Sequence, residues 1–336
     1  MRFVIMSLGS IGQRHLRNLR ATFPDAEIAV WRREGSAGDS IPTGADRLCL
    51  SMDEVLAFSP EAAIIASPAS VHLEAAMALA GAGVHLLVEK PLSVSTSGVD
   101  ELIRHCHEHH AVLMVGYNLR FMPSLIRMRE LVRAGAIGEV LSARAEVGQY
   151  LPDWRPGSDF RNGVSARAAL GGGVLLELSH DVDYMLWILG LPARVTAVGG
   201  KFSDLEWDVE DLVELLLEYE RPRRLVSVHL DMLQRSPTRT CRVVGTEGVL
   251  AWDCIADRLE QFHVQDRQWH QVDVPRLTDK NVMYIDQLTT FVDCIETGKR
   301  PQCGGLEGRQ VLQVVDAARV SMQSGRGIDI DWEGGP

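Results

Sequence analysis

The chain has no apolar run approaching the ~18 residues that a membrane-spanning helix requires, so no transmembrane segment is expected. A signal-peptide layout is also missing, because Met1-Arg2-Phe3-Val4-Ile5-Met6-Ser7 passes directly into strand-like sequence. There is no excess of basic residues. Lys and Arg number 34 against 45 Asp and Glu, and the net charge of -11 argues against nucleic acid as an electrostatic partner. Paired cysteines are lacking too. The six cysteines, at 49, 106, 241, 254, 294 and 303, include no C-x-x-C pair and no regular spacing. They read as reduced, mostly packed thiols of a cytoplasmic protein. No internal repeat and no low-complexity tract interrupts the chain.

What is there is ordinary in amount and ordered in pattern. A length of 336 residues suggests two domains at roughly 150 residues each. Up to about residue 118, apolar runs at Phe3–Met6, Ile28–Trp31, Ala62–Ala66, Val84–Val88 and Val112–Val115 alternate with amphipathic segments at 11–21, 52–58, 70–81 and 95–109. That alternation predicts a doubly wound parallel sheet, an α/β Rossmann domain. After Gly116 the pattern changes. A helix around Leu125–Val132 and a strand around Val140–Val147 precede a long irregular stretch, 149–173, of the length that usually carries function. A helix over 174–189, stopped by Gly190 and Pro192, leads into β-type runs at 194–202, 211–219, 224–231, 240–245, 248–252 and 258–264. Their spacing is that of an antiparallel meander. With helices near 281–296 and 306–322, this predicts an α+β domain on a large, mainly antiparallel open sheet.

The most informative stretch is Gly83-Val84-His85-Leu86-Leu87-Val88-Glu89-Lys90-Pro91. A buried strand delivers a lysine to its carboxyl end, the edge where open α/β sheets bind ligands, and burial there disfavours an idle charge. Read alone, it is equally an ordinary surface lysine in a strand-to-helix loop. A second signal is Ser7-Leu8-Gly9-Ser10-Ile11-Gly12, which keeps the second and third glycines of G-x-G-x-x-G and has Ser7 in place of the first. Gly9 lets backbone approach a pyrophosphate, Gly12 lets helix and strand pack closely, and the helix start presents N–H groups at Ser10 and Ile11.

At the end of the second strand, Arg32 stands where a ribose-binding acid is usual, followed by Arg33, Glu34 and Ser36. Guanidinium groups there suit a 2′-phosphate, so NADP is preferred over NAD, although two arginines can also be merely solvated. Ser67, Pro68 and His72 form a third turn on the same edge, with His72 equally a capping residue. In the second half, Gly171-Gly172-Gly173 opens a helix on which Glu177, His180 and Asp183 are three apart, expected on one face. The glycines allow close approach to a ligand, and a histidine flanked by carboxylates can act as an acid or base. The same three groups could ligate a divalent ion, but nothing else supplies a full set, so no metal is expected. The His105-Cys106-His107-Glu108-His109-His110 cluster is read as a solvated helix face on the far side of its strand.

With these residues in view, the chain resembles the Gfo/Idh/MocA family over nearly its whole length. The resemblance rests on Gly9/Gly12, Ala66-Ser67-Pro68 with His72, the 82–91 run, Gly116-Tyr117-Asn118-Leu119-Arg120-Phe121, and Gly171–Gly173 with His180 and Asp183. It implies a dinucleotide-binding domain over 1–118 and a substrate-binding and oligomerisation domain over 119–336. It further implies hydride transfer between NADP or NAD and a sugar, polyol or nucleotide sugar, in a homodimer or homotetramer. The wording of 148–183 looks like a subgroup associated with surface-polysaccharide or acidic-sugar pathways. By the same resemblance Lys90, with Glu89, lies beside the nicotinamide and steadies the alkoxide, while His180 moves the hydroxyl proton with Glu177 and Asp183 as catalytic companions. Asn118, Arg120, Trp154, Arg155 and His180 line the substrate, with Arg161 and Arg167 as further anion contacts or plain loop charges. Two departures stand out: the family's acid lies four residues before the histidine, where here Glu177 lies three before, and Ser7 replaces a glycine. A non-catalytic dinucleotide- or sugar-binding regulator on the same fold is the alternative.

Overall fold

A computed structural model describes residues 1–33, 40–154, 157 and 159–332. Arg155, Glu34 and Ser36 lie outside the described residues. The chain forms two compact units, one of residues 1–118 and 281–312, the other of 119–280 and 313–332. The expected assignment of 281–312 to the second domain is corrected, for reasons visible in the packing below.

In the first unit, β1 (Arg2–Met6), α1 (Ser10–Thr22), β2 (Glu27–Trp31), β3 (Arg47–Cys49), α2 (Met52–Phe58), β4 (Ala62–Ile65), α3 (His72–Gly81), β5 (His85–Val88), α4 (Val99–Glu108) and β6 (Leu113–Val115) follow in order. The six strands are parallel in the order β3-β2-β1-β4-β5-β6. Sequence reading missed β3, Arg47-Leu48-Cys49, which has no apolar run, whereas the equally short β6 lies in the apolar run Val112–Val115. Strands such as Ala62–Ile65 are apolar throughout because helices on both faces leave neither side to water. The order reverses between β1 and β4, and ligands of such sheets bind at the carboxyl ends of the strands at that point.

The second unit contains α5 (Pro123–Arg133), β7 (Val140–Gly148), α6 (Val174–Glu177), α7 (His180–Leu189), β8 (Arg194–Gly200), β9 (Leu212–Glu220), β10 (Arg223–Asp231), β11 (Thr238–Gly245), β12 (Gly248–Asp253), β13 (Arg258–His263) and β14 (Gln268–Gln271). The described part of 149–173 contains four short 3₁₀ turns, at Leu151–Asp153, Phe160–Asn162, Val164–Ala166 and Ala168–Leu170. The chain closes with α8 (Val282–Thr297), α9 (Gly305–Ser324) and β15 (Ile328–Asp329). The nine-stranded sheet runs β14-β13-β12-β11-β7-β10-β9-β8-β15. It is not a pure meander, because β7 sits between β11 and β10 and runs parallel to β10. In β9, Val213, Leu215, Leu217 and Tyr219 are buried and their neighbours face outward, so one sheet face carries the core. Trp252 anchors that core, edge-on to Tyr184 at 5.5 Å with its indole N–H donated to Ser124 at 2.9 Å.

Three contacts return residues 281–312 to the first unit. Asn281 and Asn18 exchange side-chain hydrogen bonds at 2.9 and 3.2 Å, the Val115 N–H donates to the Cys303 carbonyl at 2.8 Å, and Arg309 pairs with Asp100 at 2.5 Å. No helix among the described residues is long and apolar enough to cross a membrane. All six cysteines are free and buried, and burial pushes the Cys106 thiol up to about 12.

Candidate active site

The start of α1 is built around one strained residue. Ser7 has φ of 86°, the left-handed conformation that glycine takes without cost, so the turn forms despite the missing glycine. The Ser7 carbonyl then occupies the space beside Gly12, where a Cβ would lie 2.1 Å from that oxygen. Only glycine fits at 12. At Gly9 nothing lies within 4 Å of a Cβ position, and α1 starts there with no side-chain cap and no acid in its first turn. The free N–H groups at Ser10 and Ile11, the positive end of the helix dipole and the open space fit a pyrophosphate. On the neighbouring strand end, Ser67 Oγ is a buried atom without a protein partner among the described residues, a group suited to a ribose or phosphate oxygen. Arg32 and Arg33 follow β2, the Arg32 N–H being held by the Cys49 carbonyl at 3.1 Å.

His72 opens α3 but is not a surface residue. Its side chain is buried, with one ring nitrogen 2.9 Å from the Pro91 carbonyl and the other 2.8 Å from that of Ser67. It therefore ties the third turn to the Lys90–Pro91 segment, and burial holds its pKa below the usual histidine value.

Glu89 is the least expected part of this edge. It is 8 % exposed, and its carboxylate meets His15 Nε2 at 2.6 Å while accepting the Lys90 N–H at 3.3 Å. Gly116 makes room for it, since a Cβ there would lie 3.0 Å from Oε2 and 3.1 Å from the Glu89 Cα. Tyr284 stacks its edge against His15 at 6.3 Å, Arg14 lies 4.5 Å over its ring, and its hydroxyl is held by Asn118 and Arg14. Burial, then the nearby Glu89, pushes the Tyr284 pKa up. Residues of α1, β5 and α8 thus brace the turn that carries Lys90, joined to its cis bond with Pro91. His15 and Tyr284 escaped sequence reading because 269 positions apart they share no local pattern, and the i+3 position after Gly12 carries no periodic signal.

In the second unit the expected continuous helix over 174–189 is broken. α6 ends at Glu177 and α7 begins at His180, so Glu177 does not share a helix face with His180 and Asp183. Glu177 instead accepts a hydrogen bond from Ser165 Oγ at 2.8 Å. Gly172 and Gly173 are packed against the protein's own atoms, and Gly171 ends the preceding turn with φ of 86°. A Cβ at Gly172 would lie 2.5 Å from the Val164 carbonyl, and one at Gly173, with φ of 100°, would lie 2.4 Å from the Glu210 carboxylate. That carboxylate accepts the Leu175 N–H at the start of α6 and is raised in pKa by burial.

His180 is half-buried at the first position of α7. Asp183, 1 % exposed, binds Arg120 through both nitrogens, with distances of 2.7 and 2.9 Å. The Arg120 guanidinium also lies 5.6 Å over Trp187. Asp181, overlooked in the sequence, is fully buried between the Tyr184 hydroxyl at 2.8 Å and Arg239 at 3.2 Å, with burial raising its pKa. The structure therefore groups Arg120 with Asp183, and Glu177 with Ser165. Trp154 lies with Phe160 along a pocket of about 340 Å³. Arg167 pairs with Asn162 within the loop, and Arg161 pairs with Asp159 in the loop and with Glu206 between β8 and β9. Among the described residues no three His, Cys, Asp or Glu side chains converge as metal ligands.

Comparison with known proteins matches both parts of the chain to one family. The profile of the oxidoreductase family with an NAD-binding Rossmann fold, GFO/IDH/MocA, matches residues 1–117, and that of the GFO/IDH/MocA C-terminal domain matches 125–251. The chain is 24 % identical to myo-inositol 2-dehydrogenase of Thermotoga maritima, covering 98 % of this chain and 99 % of that protein. It is 26 % identical to an NADP(+) D-xylose 1-dehydrogenase of Haloferax volcanii, covering 98 % and 100 %. Levoglucosan dehydrogenase in complex with NADH shares the fold, with a TM-score of 0.89 at 20 % identity over 98 % of this chain and 99 % of that one.

Proposed function

The chain belongs to the Gfo/Idh/MocA oxidoreductase family, and from that premise we propose that it transfers hydride between NADP(H) and a CH–OH group of a sugar or polyol. The observation that carries the reading is the shared sheet edge of the first unit. There an uncapped helix start suited to a pyrophosphate and a buried, braced Glu89 that positions Lys90 both follow carboxyl ends of strands. A bound nicotinamide would accept or supply the hydride. Lys90 stabilises the negative charge that develops on the carbinol oxygen, and His180 takes or returns the hydroxyl proton. Asp183 acts by fixing Arg120, which with Asn118 and Trp154 belongs to the substrate-binding set; Glu177 holds the Ser165 segment. Arg32 and Arg33 favour the 2′-phosphate of NADP over NAD. Six buried free cysteines fit a reducing, cytoplasmic setting. The outer face of the nine-stranded sheet joins copies of the chain into a homo-oligomer.

The test is turnover of a sugar and polyol panel with NADPH/NADP and NADH/NAD, together with cofactor binding by fluorescence. Lys90→Ala is expected to lower kcat by about a hundredfold, the scale of losing one charge-stabilising group. Arg32→Ala is expected to weaken NADPH more than NADH. Cofactor binding without turnover of any carbohydrate class would support a regulatory protein instead, and equal loss of both cofactors would remove the NADP preference.

A further inference from the structure

We propose that the 340 Å³ pocket in the segment between β7 and α6 is a subsite for a second, neutral ring of the substrate: a glycosyl or cyclitol unit linked to the sugar that is oxidised. The proposal rests on the carbohydrate reading above and extends it to linked sugars. The pocket is lined chiefly by Leu151, Pro152, Trp154, Phe160, Asn162 and Ser165, and its size falls at the lower end of the roughly 300–1,000 Å³ of small-molecule sites, suited to one ring.

Its aromatic walls are fixed from behind. The Trp154 indole N–H donates to the Gln149 carbonyl at 3.0 Å. Phe160 meets Trp207 edge to face at 5.8 Å and 77°, and the Trp207 N–H is donated to buried Asp211 at 3.2 Å. Rings already held in place lose little freedom when a ligand arrives. A pyranose or cyclitol presents C–H bonds on its face and hydroxyls around its edge. The C–H face suits the electron-rich face of an aromatic ring, and the hydroxyls suit Asn162 and Asp159 at the rim.

The charges at the rim select a neutral ligand. Arg161 is engaged by Asp159 at 2.8 Å and by Glu206 at 2.7 Å, and Arg167 donates to Asn162 at 2.8 Å and to the Arg161 carbonyl at 2.9 Å. Both guanidinium groups are engaged by the protein's own acceptors, and a phosphate would meet the carboxylates of Asp159 and Glu206. The pocket adjoins the segment that carries His180 through Ser165, whose carbonyl accepts the Gly173 N–H at 3.1 Å. Its lining Ser165 donates to Glu177, three residues before His180, and His180 is not part of the lining. The ring held here is therefore the neighbour of the ring whose carbinol meets His180.

The experiment uses the full-length protein with NADP or NAD. It compares kcat/KM for glucose and myo-inositol, for maltose and cellobiose, for galactinol, and for UDP-glucose. At least a tenfold higher value for a two-ring substrate than for its free sugar is expected, with Phe160→Ala bringing the ratio close to one. Asn162→Ala, at an exposed position, reads the same ratio if Phe160→Ala does not fold. Equal values for free and linked sugars, or a preference for UDP-glucose, overturn the subsite and leave the oxidoreductase reading intact. Saturation-transfer NMR on the same ligands separates the two readings if nothing is oxidised. Two-ring ligands that bind the wild type and are lost in Phe160→Ala then support the subsite and count against the oxidoreductase reading; no binding of any two-ring ligand overturns the subsite.

Discussion

Ser7 and His15 are where single residues carry the most. A non-glycine residue at φ of 86° costs about 1–3 kcal/mol, and glycine at the same place returns part of that while adding about 0.5–1 kcal/mol of unfolded-chain entropy. Ser7→Gly is therefore expected to raise stability by about 1 kcal/mol, seen as a rise of a few degrees in the melting temperature; a lower melting temperature would show that the serine side chain supports the turn. His15 acts through Glu89 and is a positioning residue. Its removal leaves a buried carboxylate short of a donor, at a cost of about 1–3 kcal/mol. His15→Ala is expected to lower kcat about tenfold with a smaller change in KM, and His15→Gln, which keeps an N–H, to recover most of it. Equal loss in both variants, or a loss confined to KM, would assign His15 to packing alone. The sequence exposed Lys90 through the clash between a buried strand and a charge. It concealed the partners of that turn because contacts across 74 and 195 positions, from Glu89 to His15 and to Tyr284, leave no local signature.

Elements with a period were readable and those without were not. Five strands of the first sheet and the alternating strands of the second follow from runs of apolar residues, whereas β3, Arg47-Leu48-Cys49, has no such run and β15 is two residues long. The break between Glu177 and His180 was hidden because both halves are helical in propensity, and only tertiary contacts of Glu210, Ser165 and Arg120 separate them. Strand β10 also carries a titrating element. His229 lies between Asp231 at 2.9 Å and Glu214 at 2.6 Å, and these carboxylates, Asp231 first, raise its pKa to about 9; Gln234 bridges Asp231 to Glu146 nearby. A histidine raised from 6.5 to about 9 on folding stabilises the sheet fully below pH 6.5 and loses that contribution as pH rises through 9. Allowing for solvent screening of a partly exposed pair, the loss is about 1 kcal/mol. The fall in urea midpoint between pH 6 and 9.5 is expected to be larger in the wild type than in His229→Gln, the two sharing the part due to buried thiols that ionise only in the unfolded chain. An equal fall in both would place the titration elsewhere.

At the level of the whole molecule, the second unit's sheet covers its core on one face and leaves the other open. That outer face holds a groove of about 720 Å³ with Arg144, Arg242, Arg258, Asp253 and Glu260 around Leu216 and Leu225. Leu216 is 41 % exposed and Leu225 47 %, on adjacent strands, and monomeric proteins seldom leave such neighbours in a broad concave face. Guanidinium and carboxylate groups are interleaved on the same patch, so a two-fold rotation can bring each sign against its opposite on an identical surface. On the reading proposed above, a second copy of the chain covers this face, packed sheet on sheet at roughly 10 Å. Sedimentation velocity at micromolar concentration is expected to give a dimer or a multiple of one. Leu225→Glu, alone or with Leu216→Glu, places an unpaired charge at the centre of that contact and is expected to shift the protein to monomer while its circular dichroism is unchanged. A wild type that sediments as a monomer would exclude self-association through this face. A Leu225→Glu protein that remains a folded oligomer would place the interface on another surface.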